Sequence, residues 1–394
     1  MIRNYTSKPL AATGFMAGPK SKRQDEMQEE SPADPEIIIV QVDRVRELVA
    51  KIFLTAGCSF DEAERISRRL TGANLRGHDS HGVIRVPRYI YLLQKGIFLA
   101  DQTLKVVTEN EVLAVLDGCF GFGQTIGEQA VDVGISKSRQ YGVSVIALRN
   151  SGHLGRIGDW AERAAECGLI SIHLANVRGS HLVAPFGAKD RRLSTSPFCV
   201  GVPIAGEVPI VLDFATSAVA EGKALLALKN SHNLPDDTFI DEDGHLSGDP
   251  INLYGCQQEG VIANANSGPG ALRAFGEHKG SGLGFIIEIL AGALTGSGLP
   301  TESVDPADRR VWNGMLSIYM SPNYFRQNDV FSSDVRSFVE FVKSSRPTDS
   351  ECEVLIPGDT EIKTMKKRLE NGLPFSQSHW HEIEAVAVSL GVNG

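Results

Sequence analysis

The sequence predicts an α+β protein in which a mixed sheet lies between helical ends. Three observations carry that expectation. Apolar residues recur at helical spacing near both ends of the chain, as at Val45, Leu48, Val49, Ile52 and Phe53. Between the ends, short apolar runs alternate with helical stretches. No segment repeats. A chain of 394 residues is long enough for two or three domains, or one large α+β unit, on a prior of roughly 150 residues per domain.

Residues 20–36 are rich in charge, Gln, Ser and Pro, so residues 1–36 are expected to form a disordered tail. Arg3, Lys8 and Lys20 precede the first acid, Asp25; a plain tail, a misassigned start and an organelle transit segment all fit that pattern. Helical periodicity begins at Val42. Ser59 and Glu62 have capping-box spacing, which predicts a second helix running to Leu75. Arg76–Gly82 reads as a polar turn. Pro87 then opens a helix to about Gln94, since proline is tolerated in a first helical turn.

Alternation follows. Strands are expected at Val112–Leu116, Val143–Leu148, Leu169–Asn176, Phe198–Pro203 and Ile210–Asp213. Helices are expected at Gly123–Gln140, at Gly155–Cys167 closed by Gly168, and at Val219–Leu228. Leu234–Pro250 is acidic and rich in Gly and Pro, hence a loop. Phe285–Leu294 is apolar apart from Glu288 and is expected as part of a buried helix, Gly282–Leu294. A strand at Met315–Met320 and helices at Val335–Val342, Ile362–Leu369 and Trp380–Leu390 complete the chain.

Composition excludes several classes of function. The chain is 42% hydrophobic and 22% charged, ordinary globular usage. Its net charge is -9, and no Lys/Arg cluster is interleaved with aromatics, so nucleic acid is not an expected partner. No run reaches the ~18 apolar residues of a membrane span. No N-terminal apolar core of signal-peptide type is present. Cys58, Cys119, Cys167, Cys199, Cys256 and Cys352 form no C-x-x-C pair; such scatter fits reduced, buried thiols in a cytoplasmic protein. No metal is expected, because ligands would have to cluster. His379 and His381 lie on different helix faces and are expected at the surface.

Five segments could carry chemistry. Gly121-Phe122-Gly123-Gln124-Thr125-Ile126-Gly127 follows a strand and opens a helix, as a dinucleotide fingerprint would. Its spacing is one residue too long, and the next strand ends at Leu148-Arg149-Asn150 without the acid that binds ribose. Arg149 would suit a 2′-phosphate; a turn with helix-packing glycines fits the segment better. Glu277–Gly284 leads into the apolar helix, where backbone N–H groups and Lys279 could cradle a phosphate, or the glycines could serve tight packing. Asp79-Ser80-His81-Gly82 with Arg85 combines a group that titrates near neutrality with a guanidinium that can fork onto a carboxylate. Reduction of a 2-oxo acid needs that equipment; a capped helix start with a surface histidine would look the same. His153, in Ser151–Gly155, sits at a helix start that would lower its pKa. It reads as a nicotinamide or substrate contact, or as a satisfied turn histidine. Asp213 ends a strand before Thr216 and Ser217; it could take ribose hydroxyls or orient a histidine, and either hydroxyl could cap the next helix.

Gly77–Gly82, Ser151–Gly158, Ser194–Phe198, Leu212–Ser217 and His278–Gly280 occur in one order. As an ordered set they resemble the malate/L-lactate dehydrogenase family of the second, non-Rossmann type, over Val42 to Val392, with the hydroxycarboxylate dehydrogenase B branch nearest. The resemblance implies a homodimer and reversible NAD- or NADP-dependent reduction of a small 2-oxo acid, malate-, lactate- or hydroxypyruvate-like in its product or substrate. It implies a cofactor domain over residues 119–284, built on a largely antiparallel sheet. Helical segments 37–118 and 285–394 would form the other domain.

The resemblance also implies roles. Ser80 looks like a relay serine, His81 like the proton donor and Arg85 like the carboxylate anchor. Tyr89 looks like a pocket residue and Thr195 like a substrate contact; Lys223, one position beyond Gly222, is expected on the substrate from its charge. His153 is taken as the base in some members, and with Leu154, Gly155, Arg156 and Ile157 it resembles a cofactor-binding turn. Asn176, Asp213, Phe214, Ala215, His278, Lys279, Gly280, Ser281, Gly282, Leu283 and Gly284 resemble further cofactor contacts. One departure stands out: imine-reducing members carry Asp after the residue matching Gly222, where this chain has Lys223. That weakens a cyclic ketimine (Δ1-piperideine-2-carboxylate) reading and suits an anionic hydroxy acid. His81 and His153 both remain open as the proton carrier. Ketimine reduction and a non-enzymatic scaffold of the same fold are the alternatives.

Overall fold

The computed structural model describes residues 37–257, 263–301, 312–350 and 352–392. The tail expected over residues 1–36 lies outside them. β1 (Ile37–Val40) leads into α1 (Val42–Thr55), whose periodic Val45, Val49, Ile52 and Phe53 are fully buried. α2 (Phe60–Leu75) starts at Ser59, whose hydroxyl accepts the Glu62 N–H at 3.3 Å. The capping box is only half made. Glu62 instead accepts from the Asp101 N–H (2.6 Å) and the Thr125 hydroxyl (2.7 Å), and the Ser59 N–H donates to Asp101. Two short 3-10 turns, Asp79–His81 and Val83–Arg85, then feed α3 (Val86–Gln94).

The middle of the chain builds the sheet. β2 (Lys105–Glu109), β3 (Leu113–Asp117), α4 (Gly123–Tyr141), β4 (Val143–Ser151), α5 (Gly158–Glu166), β5 (Ile170–Val177), β6 (Phe198–Val202) and β7 (Ile210–Phe214) follow in order, then α6 (Glu221–Lys229). The expected loop over Leu234–Pro250 contains two short strands, β8 (Phe239–Ile240) and β9 (Leu246–Ser247). They form a three-stranded sheet with β10 (Ala271–Leu272), beyond α7 (Ile251–Tyr254). α8 (His278–Ile287) starts four residues before the expected Gly282 and passes directly into a π-helical stretch, Glu288–Leu294. β11 (Asn313–Met320), α9 (Asn328–Lys343), α10 (Asp359–Asn371), β12 (Leu373–Ser376) and α11 (Gln377–Ser389) end the chain.

The large sheet has the order β2-β3-β4-β11-β5-β6-β7. Only β3 and β4 run parallel, joined through α4; the other neighbouring pairs are antiparallel. A doubly wound dinucleotide fold, whose strands run mostly parallel, is therefore absent among the described residues. The glycines of Gly121–Gly127 serve packing instead. A Cβ on Gly127 would stand 2.5 Å from the Trp160 ring, and one on Gly123 would stand 2.1 Å from the His153 carbonyl oxygen. Arg149, the residue suited to a 2′-phosphate, pairs with Asp117 at 3.1 Å.

α4 and α5 cover one face of the sheet through Ile126, Ala130, Trp160 and Ala164. The end of α8 and the π-helical stretch cover the other through Ile287 and Ala291, packed on Ala147, Leu174 and Leu316. The two ends of the chain share one core, in which Val45, Phe53, Leu70, Tyr89 and Leu92 pack with Leu373, Trp380 and Ile383. β1 pairs antiparallel with β12 over that core.

Three surface expectations need correction. Only one face of the Phe285–Leu294 helix is buried; Phe285, Ile286, Ile289 and Leu294 are exposed, Leu294 by 64%. His379 is buried and bonds the Ser376 hydroxyl at 2.8 Å through Nδ1, while His381 is exposed. Among the six free thiols, only those of Cys58 and Cys199 are buried, and Cys256 and Cys352 are exposed.

Candidate active site

The turn that carries His81 is tied on two sides. Gly77 at φ 81° ends α2, and Asn74, inside α2, bridges the turn. Its Oδ1 accepts the Val83 N–H (2.9 Å) and its Nδ2 donates to Asp79 (2.6 Å). Gly82 lies so close to Asn74 that a Cβ there would stand 2.2 Å from its Oδ1. Arg368 of α10 clamps Asp79 through both terminal nitrogens, at 2.6 and 2.9 Å. Neither Asn74 nor Arg368 was picked out by motif: Arg368 acts on a partner 289 residues away, and Asn74 acts across a turn that forms only in the fold.

Within that frame Ser80 Oγ and His81 Nδ1 are 3.0 Å apart. Arg85 folds back, donating from Nε to the Ser80 carbonyl (2.6 Å) and from Nη2 to Glu221 at the start of α6 (3.2 Å). Gly222 abuts Ser80: a Cβ there would stand 2.0 Å from the Ser80 Cβ. From the other side comes His153, just beyond β4. Its Nδ1 is 2.6 Å from the Tyr89 hydroxyl, which also accepts from Gln124 (3.2 Å). The His81 and His153 rings stack, with centroids 5.6 Å apart and planes 16° apart. So Ser80, His81, Arg85, Tyr89 and His153 converge.

The electrostatics are those of a largely buried niche crowded by guanidinium charges. Each imidazole keeps some accessible surface, yet protein surrounds both rings. Burial, then the charges of Arg85, His78 and Arg156, push His81 down to about 3. Burial, with Arg85, His81 and Arg88, holds His153 well below its usual value. Both are neutral at pH 7. Burial also pushes the Tyr89 hydroxyl up to about 12. Glu221 goes the other way: burial would raise its carboxyl, but Arg85, Arg88 and the Tyr254 hydroxyl together hold it below the usual range.

Other candidate residues are placed as follows. Lys223 is exposed, one residue beyond Gly222, with no ion-pair partner among the described residues. Thr195 is half-buried; its carbonyl accepts the Thr216 N–H (2.9 Å) and hydroxyl (3.1 Å). Thr216 and Ser217 do not cap α6, whose N-cap is Ala220; the Ser217 hydroxyl bonds the Val219 carbonyl. Leu154 and Ile157 face the core around α5. The Arg156 side chain is buried against Asp159 (3.0 Å) and Glu162 (2.9 Å), so it cannot present charge to a ligand at the surface. Asp213 accepts the Gly158 N–H at 2.7 Å, at the start of α5. Asn176 is fully buried, donating to Glu288 (3.1 Å) and the Gly298 carbonyl (2.9 Å) and accepting the Gly314 N–H (3.1 Å). Its side chain is a strut between strand and helix and has nothing left for a cofactor.

Glu288 is a second residue that motifs missed. Buried on the π-helical stretch, it accepts from both the Ser194 and the Ser196 hydroxyls and so holds the turn that carries Thr195. Ser196 there has φ 31°. Neighbouring Asn313 joins this network to the His153 turn by accepting the Leu154 N–H at 2.8 Å.

The start of α8 mixes the two readings of its glycines. Gly280 and Gly284 are packing positions, where a Cβ would stand 2.1 Å from the Phe275 carbonyl and 3.0 Å from the Thr216 hydroxyl. Gly282 faces open space. His278 and Lys279 are exposed, His278 edge-on to Phe186, and the Ser281 hydroxyl accepts the Phe186 N–H at 2.9 Å. Leu283 is half-buried; so are Phe214, tilted against Phe198 and edge-on to Phe275, and Ala215. A cleft of about 410 Å³ lined by Phe186, Lys189, Arg273 and Glu277 opens beside this helix start. A cleft of about 570 Å³ lies far from this chemistry, between α4 and α5. The chain from Thr216 to Gly222 touches both α8 and the His81 turn: Thr216 lies against Gly284, and Gly222 against Ser80.

Residues 40–384 match the malate/L-lactate dehydrogenase family. The chain belongs to that family. With it the chain joins the oxidoreductases of 2-hydroxy acids, and the mixed, largely antiparallel sheet is the family's fold. Among relatives in the malate/L-lactate dehydrogenase family, hydroxycarboxylate dehydrogenase B of Escherichia coli O157:H7 is 36% identical over 88% of this chain and 93% of its own length. L-sulfolactate dehydrogenase of Methanocaldococcus jannaschii is 30% identical over 90% of this chain and 98% of its own. The solved malate dehydrogenase of Pyrococcus horikoshii superposes with a TM-score of 0.79 at 27% identity, covering 91% of this chain and 97% of that one.

Proposed function

We propose that this chain reduces a small 2-oxo acid to the 2-hydroxy acid, and runs the reverse oxidation, with NAD or NADP. One observation carries the reading: a single turn sets a hydroxyl-bonded imidazole, His81, beside the Arg85 guanidinium and against a second imidazole held by Tyr89. Arginine offers parallel donors that match a carboxylate. The adjacent neutral imidazole can take the hydroxyl proton of a hydroxy acid. With Nδ1–H donating to Ser80, Nε2 presents its lone pair, and it returns the proton when the oxo acid is reduced. His153, stacked on His81 and fixed by Tyr89, walls the niche and keeps water from the ring.

The α8 start fits a dinucleotide: Lys279 supplies charge, the open side of Gly282 lets backbone approach, and the helix N-terminus favours phosphate. A bound nicotinamide would supply hydride transfer at its C4. Lys223 and Thr195 are assigned to the substrate side of the site.

Absorbance assays of NADH and NADPH consumption test the reading. The panel is pyruvate, hydroxypyruvate, phenylpyruvate, oxaloacetate and Δ1-piperideine-2-carboxylate. Turnover of at least one oxo acid is expected, above that of the imine. No consumption with any acid, or faster turnover of the imine, overturns it.

The same reading includes a cytoplasmic homodimer. Its support is the exposed apolar row Phe285, Ile286, Ile289 and Leu294, together with Phe338 and Phe341 of α9, since such faces are usually covered by a partner. No helix among the described residues is long and apolar enough to cross a membrane. The cofactor unit is assigned to residues 119–284 together with β11, because β11 fills the middle of the sheet. The end helices, which share a core, form the other unit.

A further inference from the structure

We propose that Glu221, held by Tyr254, is a positioning residue that decides which edge of Arg85 meets the substrate carboxylate. This rests on Arg85 being the anchor, as in the reading above.

A guanidinium has five N–H groups. The Nε hydrogen and one Nη2 hydrogen lie along its side edge, one hydrogen each of Nη1 and Nη2 form its terminal edge, and the second Nη1 hydrogen points back beside Cδ. In this structure the side edge is spent, Nε on the Ser80 carbonyl (2.6 Å) and Nη2 on Glu221 Oε2 (3.2 Å). No partner of Nη1 occurs among the described residues. The terminal edge, a two-pronged fork, therefore remains for a ligand.

Glu221 is itself fixed. The Tyr254 hydroxyl lies 2.8 Å from Oε1 and 3.2 Å from the Glu221 backbone carbonyl, so each carboxylate oxygen has its own donor. Tyr254 is buried in α7, and the chain around it is stapled from below. Arg191 donates to the carbonyls of Leu253 (3.1 Å), Asn252 (3.3 Å), Gly268 (2.7 Å) and Gly270 (2.5 Å). A rigid path thus runs from Arg191 through Tyr254 and Glu221 to Arg85. Because Glu221 takes the side edge, a substrate carboxylate need not displace it. Without Glu221 the long Arg85 side chain is held at one point, the Ser80 carbonyl, and its fork can swing.

The test is calorimetric titration of oxamate, a non-reducible 2-oxo acid analogue, into the full chain loaded with NADH or NADPH. Glu221→Ala is expected to weaken oxamate about 10–100-fold, the usual result of misaimed binding groups. Tyr254→Phe, which removes only the hydroxyl behind Glu221, is expected to weaken it about 3–10-fold. Glu221→Gln keeps an acceptor for Nη2 and should recover part of the alanine loss. A kinetic readout separates aim from general damage: the preference in kcat/KM for the best acid over its methyl ester should fall at least about tenfold in Glu221→Ala, with the ester rate falling less. Oxamate affinity within twofold of wild type in both Glu221→Ala and Tyr254→Phe overturns the proposal and leaves the oxo-acid reading standing. Tighter oxamate binding by Glu221→Gln would make Glu221 a competitor for Arg85 and overturns it too. A wild-type protein that binds no oxamate and reduces no acid removes the functional reading, and this inference with it.

Discussion

His81 is bracketed by a hydroxyl and a guanidinium, and these neighbours set its chemistry. An ordinary histidine base loses activity as pH falls through about 6.5. Burial and Arg85 keep His81 unprotonated down to about 3. We therefore expect kcat/KM for hydroxy-acid oxidation to show no acid limb near 6.5, checked by a pH profile from about 5 to 8. Removing the ring by His81→Ala should cost about 10²–10⁴-fold in turnover, the usual loss for an acid/base group. Near-wild-type turnover by a folded His81→Ala protein would move the proton to His153. Arg85→Lys should lower kcat/KM for oxo acids while sparing cofactor affinity, because lysine has no fork and cannot hold both the Ser80 carbonyl and Glu221; steady-state kinetics and a cofactor titration separate the two.

Among the elements, the contact between α6 and the His81 turn is the tightest in the site. Gly222→Ala should gain up to about 1 kcal/mol of helix propensity. It would also force a methyl group against Ser80, an overpacking cost of about 1–3 kcal/mol. A melting curve together with kinetics should show modest destabilisation and a larger fall in kcat/KM. How far such elements were legible depends on how local their cause is. α1, α2 and α3 were readable because their apolar spacing matches the face they bury. β2 was not, because its five residues are all exposed on a sheet edge and carry no alternation. β1 and β12 were missed because each is stabilised by the other from the far end of the chain. The same holds in the site. Ser80, His81 and Arg85 announce themselves within six residues, whereas Glu221, Asn74, Glu288 and Arg368 matter only through partners brought by the fold. Arg156 stands in a motif segment and Asn176 ends an expected strand, yet Arg156 Nη1 is tied to Asp159 and Glu162 and the Asn176 amide to Glu288.

For the whole molecule, the buried imidazoles make a stability statement. His81 and His173 are both held at about 3, His173 by burial alone. In the unfolded chain each would titrate near 6.5. Between those values the unfolded state binds protons that the folded state refuses, so stability is complete above about pH 6.5 and is lost as pH falls toward 3. Each ring contributes about 1.4 kcal/mol per pH unit inside that window. Denaturant titrations at pH 7 and pH 5 should show the loss, and His173→Asn should flatten it. Light scattering should report a dimer, and Phe285→Lys with Ile289→Lys should shift it toward monomer, since charge in a buried apolar interface is costly.

The clamp of Arg368 on Asp79 spans 289 residues. During synthesis, the segment bearing His81 leaves the ribosome long before its distant latch is even translated. The turn that carries His81 therefore gains its second tie only after α10 has emerged, and a chain stopped before α10 would hold Ser80, His81 and Arg85 with Asn74 alone to brace their turn.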